Sequence, residues 1–342
     1  MLLKPRFSRA AAARGGWAAE LPDFAQSLAW SADGRALAVA SLAGPVVIFD
    51  GETGASIVFD EGHRGGALTL AWSPDGLLAS GGQDGMIRLF SIGEAALVGE
   101  VEGGGDWVEH LAWSPSGDCL ASAAGKTVRV WSQARELLAE VTGYESTVSS
   151  LFWHPGKQEI VTSCYGGLQF LEVGKPEWIR KLDWKGSILT SAPSPDGRFI
   201  ATGNQDASVH VWEVRSGKDL QMTGYPLKVR ELAWCGNGPL LATGGSAVIT
   251  VWSFAGRGPA GKPAEELNGH EARVTGLSFL PGSTRLVSVG EDQTVRTWEP
   301  GKGWRCSRTE KLETPLHSLA VSPDGKRAAV AGDGGLVTIW PL

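Results

Sequence analysis

The stretch Leu70–Phe90 reads LAWSPDGLLASGGQDGMIRLF. Three short apolar runs are separated by SPDG and by GGQDG. Asp-Gly between such runs marks a tight hairpin, because glycine takes the positive φ that the turn requires. Nearly the same text returns at LAWSPSGDCLASAAGKTVRVW (Leu111–Trp131), SAPSPDGRFIATGNQDASVHVW (Ser191–Trp212) and LSFLPGSTRLVSVGEDQTVRTW (Leu277–Trp298). The alternation in VRVW and VHVW is the two-residue period of a strand.

Marking the third residue of each LAW-like triplet gives Trp30, Trp72, Trp113, Trp153, Pro193, Trp234, Phe279 and Val321, spaced by 40 to 45 residues. Each triplet leads into a turn, a small apolar strand, a second turn and a third strand. That third strand ends in an aromatic at Phe49, Phe90, Trp131, Trp212, Trp252, Trp298 and Trp340; repeat four ends less distinctly, in GGLQFLEV. A period near 40 with four strands per unit is the signature of a propeller blade. The expected fold is therefore all-β: one eight-bladed β-propeller over residues 17–342, preceded by a basic tail, residues 1–16.

With SPDG, the Asp of GQD, NQD and GED, the closing Trp, and Gly-His in EGH and NGH, the chain resembles the WD-repeat family over essentially residues 17–342. The resemblance implies a hydrogen-bonded His, Ser/Thr, Asp and Trp across each blade. His270, Ser288, Asp292 and Trp298 match all four positions. His63, Ser80 and Asp84 match three, with Phe90 where Trp is usual. Thr202, Asp206 and Trp212 match in repeat five, where Trp184 stands for His. Tyr144 and Tyr225 occupy the His position elsewhere; a phenol can partly replace an imidazole, although the missing Asp leaves those chains incomplete. Because the trio recurs with the repeat, it is expected to staple blades and not to catalyse. The resemblance also implies that Trp17–Leu21 supplies the last strand of blade eight, closing the ring and leaving no long open edge.

Net charge is −6, and the first sixteen residues contribute four cations and no acid, so the remainder carries −10. An acidic body argues against nucleic acid as the main partner. No apolar run approaches the roughly 18 residues that span a bilayer. Cys119, Cys164, Cys235 and Cys306 are scattered without paired spacing, which fits reduced thiols in the cytoplasm.

The six histidines fall in different repeats, with no HExxH and no Cys partner, and no GxxxxGK[ST] appears. No cofactor is expected, and a hydrolase reading lacks a nucleophile with its own base. The alternative to a binding module is a metal- or ligand-handling channel mouth built from Glu109, His110 and His317.

Tryptophan usage points to a surface. Of 15 Trp, ten are set by the repeat; Trp17, Trp107, Trp178, Trp184 and Trp304 are not. Trp107 directly precedes the inner strand VEHLAW. In the inner strands (AQSLAW, VEHLAW, VRELAW, LHSLAV), two residues separate inward apolar positions, which predicts a bulge that turns side chains toward the channel mouth. That ring reads Gln26, Leu68, Glu109, Ser149, Leu189, Arg230, Thr275 and His317. The residue before each turn Asp adds Gln83, Gln205 and Glu291. The expected function is a non-enzymatic scaffold whose top face, with Gln26, Gln83, Trp107, Glu109, Gln205, Arg230, Glu291 and His317, holds a partner protein. Solvated turns are the bland reading of the same rim.

Overall fold

The structure is a computed structural model that describes residues 16–342 apart from positions 60, 61, 176, 257 and 302. Residues 1–15 of the basic tail therefore lie outside the described part. Eight four-stranded antiparallel sheets follow one another; in seven of them each strand pairs with the next in sequence, and the eighth takes its outer strand from the N-terminal side. Blade 2 is typical, with strands Ala67–Trp72, Leu77–Gly82, Met86–Ser91 and Ala96–Glu102. The first strands of successive blades touch around the whole ring, which makes them the innermost layer. The second strands, flanked by sheet on both sides and by blades on both faces, are almost wholly buried. This explains their small, continuous apolar text (ALAVAS, CLASAA, FIATGN) where a solvated strand would alternate.

The pairing register resolves the indistinct repeat. In seven blades the closing aromatic faces the same second-strand position, as in Leu78–Phe90 and Leu286–Trp298. In blade 4 that partner of Ile160 is Leu171. An aliphatic side chain stands there, and the adjacent Phe170 points to the other face.

Blade 8 takes its outer strand from the N-terminal side. Ala18, Ala19 and Glu20 pair with Thr338, Val337 and Leu336. Trp17 extends the tie: its carbonyl accepts from Ile339 N at 2.9 Å and Thr338 Oγ1 at 3.1 Å, while its ring packs 4.8 Å from Phe49 of blade 1. The ring is thus closed without a covalent bond.

The predicted bulge is present. In six inner strands the pairing skips one residue, and the skipped residues are Gln26, Leu68, Glu109, Leu189, Thr275 and His317. In blades 4 and 6 the inner strand begins one residue after the equivalent position, at Ser150 and Glu231.

The triplet Trp does more than fill the core. Each indole N–H reaches back one blade to a backbone carbonyl: Trp30 to Ala320, Trp72 to Ala29, Trp113 to Ala71, Trp153 to Ala112 and Trp234 to Ala192, at 2.9 to 3.2 Å. Five of the eight seams are stitched in this way. Pro193, Phe279 and Val321 lack the donor.

Candidate functional site

In an antiparallel four-strand blade, the first and third turns lie at one end; the middle turn and the connection to the next blade lie at the other. The second end, here called the top, carries the His-containing connections and the Asp turns. In blade 7 the chain is complete: Trp298 Nε1 donates to Ser288 Oγ at 2.8 Å, Ser288 lies 2.7 Å from His270 Nε2, and His270 Nδ1 lies 2.9 Å from Asp292. The geometry fixes the tautomer: Ser288 gives its proton to Nε2, and Nδ1–H faces the carboxylate. Burial pushes His270 below the ordinary imidazole range against the pull of Asp292, so the ring is neutral at pH 7. For Asp292, burial acts against ionisation, but hydrogen bonds from His270 and the backbone outweigh it and hold the carboxyl low.

Blade 2 repeats the arrangement with His63, Ser80 and Asp84, all at 2.7 Å, and Arg88 adds a 2.8 Å bond to Asp84. Burial opposes ionisation of Asp84, yet its bonds from His63 and Arg88 bring it to about 2. Phe90 ends the chain without a donor. Gly82 is required here, because a Cβ would collide with the His63 ring.

Blade 5 departs from the sequence expectation. Thr202 Oγ1 donates to the His210 carbonyl, Asp206 accepts from Ser208, and His210 lies between Trp184 and Trp212, 4.6 and 6.1 Å away. An indole cannot both donate to Asp and accept from Thr, so a stack of rings replaces the polar relay. In blades 4 and 6 the phenols do replace the imidazole: Tyr144 bonds Thr162 at 3.0 Å, and Tyr225 bonds Thr243 at 2.9 Å while accepting from Trp252 at 2.8 Å. Burial raises Tyr144 to about 12, keeping the phenol neutral. These groups are all consumed by blade structure.

The rim differs. Gln26, Trp107, Glu109, Gln205, Arg230 and Glu291 are exposed, and Trp107 keeps 53% of its surface. Gln83 and His317 are half-buried. Two members have partners: Glu291 Oε1 lies 2.6 Å from Arg273, and His317 Nε2 lies 2.8 Å from Asp333 beneath the ring of Phe24. Sequence reading missed Tyr165, in the middle turn of blade 4, and Leu227, on the connection into blade 6; they are 44% and 54% exposed. Both sit at the top, as do Trp107, Glu109 and Arg230, so blades 3, 4 and 6 each present a large exposed apolar side chain at this end. The signal lay in CYGG and GYPLKV, where other repeats carry polar turn residues.

The channel-mouth metal alternative is not assembled. His317 Nε2 lies 2.8 Å from Asp333, and burial holds His110 neutral, at about 4. Among the described residues, no group of three or more His, Cys, Asp or Glu side chains is placed to hold a metal. Just inside the rim, burial raises Glu231 to about 7, opposed by Arg273 and Arg230.

Comparison with known proteins agrees with this geometry. The family "WD domain, G-beta repeat" matches residues 54–91, 96–132, 178–213 and 261–299. The chain is 26% identical to THO complex subunit 3 of Arabidopsis thaliana over 252 residues, 70% of this chain and 78% of that protein. It is 23% identical to the Arabidopsis transcriptional corepressor LEUNIG_HOMOLOG, covering 80% of this chain and 35% of the relative. It is 25% identical to the nuclear distribution protein nudF of Aspergillus niger, covering 73% of this chain and 62% of the relative. The computationally designed Ika8 protein superposes over 94% of this chain and 98% of its own, with a TM-score of 0.79 at 20% identity.

Proposed function

This chain is a WD-repeat β-propeller, and we propose that it acts as a non-enzymatic scaffold that holds a partner protein on its top face. The observation that carries the reading is the exposure of Trp107, Tyr165 and Leu227 at the end that also presents Glu109 and Arg230. Of the six large hydrophobic side chains that stay exposed among the described residues, these three lie at the top, while Leu137, Leu138 and Ile179 lie beside third turns of blades 3 and 4; Trp and Arg are the usual anchors of contact surfaces. The titratable groups at this end fit the reading, because the His-Ser-Asp sets of blades 2 and 7 are hydrogen-bonded into their own blades. The names of the relatives, a complex subunit and a corepressor among them, fit a component of assemblies. An acidic body disfavours nucleic acid as the main partner. The described residues contain no helix long and apolar enough to cross a membrane. Four unpaired cysteines fit a reducing compartment such as the cytoplasm.

The test is affinity capture from the native cell with matched variants. Trp107→Ala and Arg230→Ala should each weaken capture of the same partner about thirty-fold, the equivalent of ~2 kcal/mol for a true anchor. Lys157→Ala and Asp196→Ala, in bottom turns of blades 4 and 5, should bind normally. Loss with the bottom pair and retention with the top pair would refute the top-face reading.

A further inference from the structure

At the bottom end, a cavity of about 490 Å³ opens between blades 1 and 2. Its floor is apolar, formed by Ile48, Ile57 and Trp72, and its rim carries Asp33, Asp50 and Asp75 against one cation, Arg35. Arg35 lies at the surface, 3.8 Å from Asp33, with its side chain 88% exposed.

The reason for the cavity is one position in the repeat. Ala36 opens the second strand of blade 1 and pairs with Asp50. By the same register, the equivalent residues are Leu77, Cys119, Glu159, Phe199, Leu240 and Arg327. Ala36 is the smallest of the set. Blade 8 shows what belongs in the space. There Arg327 lays its guanidinium 5.0 Å from the ring centre of Trp30, donates to Gly34 O at 2.8 Å and lies 3.9 Å from Asp324. At the seam between blades 5 and 6, Phe199 stacks on Trp234 at 6.3 Å, and the cavity there shrinks to about 230 Å³. Between blades 1 and 2 the tryptophan is Trp72, the turn carboxylate is Asp33, and Ala36 offers only a methyl group.

We propose that this cleft binds an arginine side chain presented by a partner peptide, stacked on Trp72 and paired with the rim carboxylates. A planar cation suits both the indole face and a carboxylate, as Arg327 demonstrates within the same molecule. Hydrogen bonds from Ser31 and the Arg35 backbone hold Asp33 below the ordinary carboxylate range, so its carboxylate is available to pair with a cation. The acidic body, at −10 beyond the first sixteen residues, favours a basic partner by long-range attraction. This site is at the opposite end from Trp107, Tyr165 and Leu227 and stands independently of them.

The experiment follows the Trp72 indole N–H resonance of the full chain, assigned with Trp72→Phe, during titration with acetyl-Ala-Arg-Ala-amide. The citrulline tripeptide, neutral and nearly isosteric, is the control. The expected result is a saturable shift with arginine, at least ten-fold weaker with citrulline, and absent in Ala36→Arg, whose own side chain fills the cleft as Arg327 does. Should Ala36→Arg disturb the blade, Asp33→Asn should weaken arginine binding at least three-fold with the Trp72 resonance in place. No shift, equal shifts with both peptides, or undiminished binding by Ala36→Arg or Asp33→Asn would overturn the proposal. Two further outcomes would overturn the partner as occupant: a Trp72 shift without peptide when Lys4, Arg6, Arg9 and Arg14 are all changed to Gln, and a dimer in sedimentation that Ala36→Arg dissociates.

Discussion

Trp153 donates its indole proton to the carbonyl of Ala112, 41 residues earlier and one blade back, at 2.9 Å. Four other triplet tryptophans make the same bond across their seams, so the motif that sets the repeat also ties five of the eight seams. Trp153→Phe keeps most of the buried area but strands the Ala112 carbonyl. It should cost about 1–3 kcal/mol in denaturant unfolding, the usual penalty for an unsatisfied buried group. A loss under a few tenths of a kcal/mol would mean that the bond carries no stability.

Asp292 and Asp206 look alike in sequence, as the turn acids of GEDQ and NQDA. Asp292 accepts from His270, from the Glu271 backbone and from Thr294, whereas Asp206 accepts from Ser208. Asp292→Ala should therefore cost roughly 1–3 kcal/mol, and Asp206→Ala well under 1 kcal/mol, as exposed changes do. Melting both variants beside the wild type separates them; equal losses would contradict the relay in blade 7.

Acid should weaken the fold through its histidines. His63, His110 and His270 are all held below their unfolded value of about 6.5 by burial. The folded state thus binds fewer protons, and stability falls as pH drops below about 6.5 toward the folded values. Asp84 and Asp292, also depressed, extend the loss below about pH 4. Glu231 has the opposite sign. With a folded value near 7, it is protonated when buried and destabilises the fold as pH rises above its unfolded range near 4.5. Glu231→Gln should raise stability at pH 8 by on the order of 1–3 kcal/mol and change little at pH 4. The melting temperature of both proteins across pH 4 to 8 decides; an increment independent of pH would remove Glu231 from the account.

Closure by the N-terminal strand gives a graded truncation series. Removing residues 1–14 should leave the melting temperature unchanged, whereas removing 1–24 takes away the pairing to Thr338, Val337 and Leu336 together with the Trp17 packing. The shorter chain should lose cooperativity and aggregate through the exposed edge. A soluble 25–342 fragment with an unshifted melting temperature would be incompatible with that closure.

The fold was legible in sequence because turn chemistry and period agreed in every repeat, and the strand bulge was legible because Gln26, Glu109 and His317 break the alternation. The relays of blades 2 and 7 were legible where a histidine supplies two opposed nitrogens. Blade 5 was not, since Thr202, Asp206 and Trp212 match letter by letter while Trp184 lacks the second nitrogen that links them. The seam bonds escaped because donor and acceptor lie about one repeat apart and the acceptor is backbone, which no residue type announces. Tyr165 and Leu227 escaped because they occupy degenerate turns. The cleft at Ala36 becomes visible only when the register aligns that position with Arg327 and Phe199.

The most direct measurement of the central claim is site-specific photocrosslinking in the native cell, with benzoylphenylalanine placed in the full chain at position 107 or at position 157, a bottom turn away from the cleft at Ala36. The account predicts a covalent adduct to one partner protein from the top-face position and none from the bottom-turn position. An adduct from position 157 with none from position 107 would contradict it.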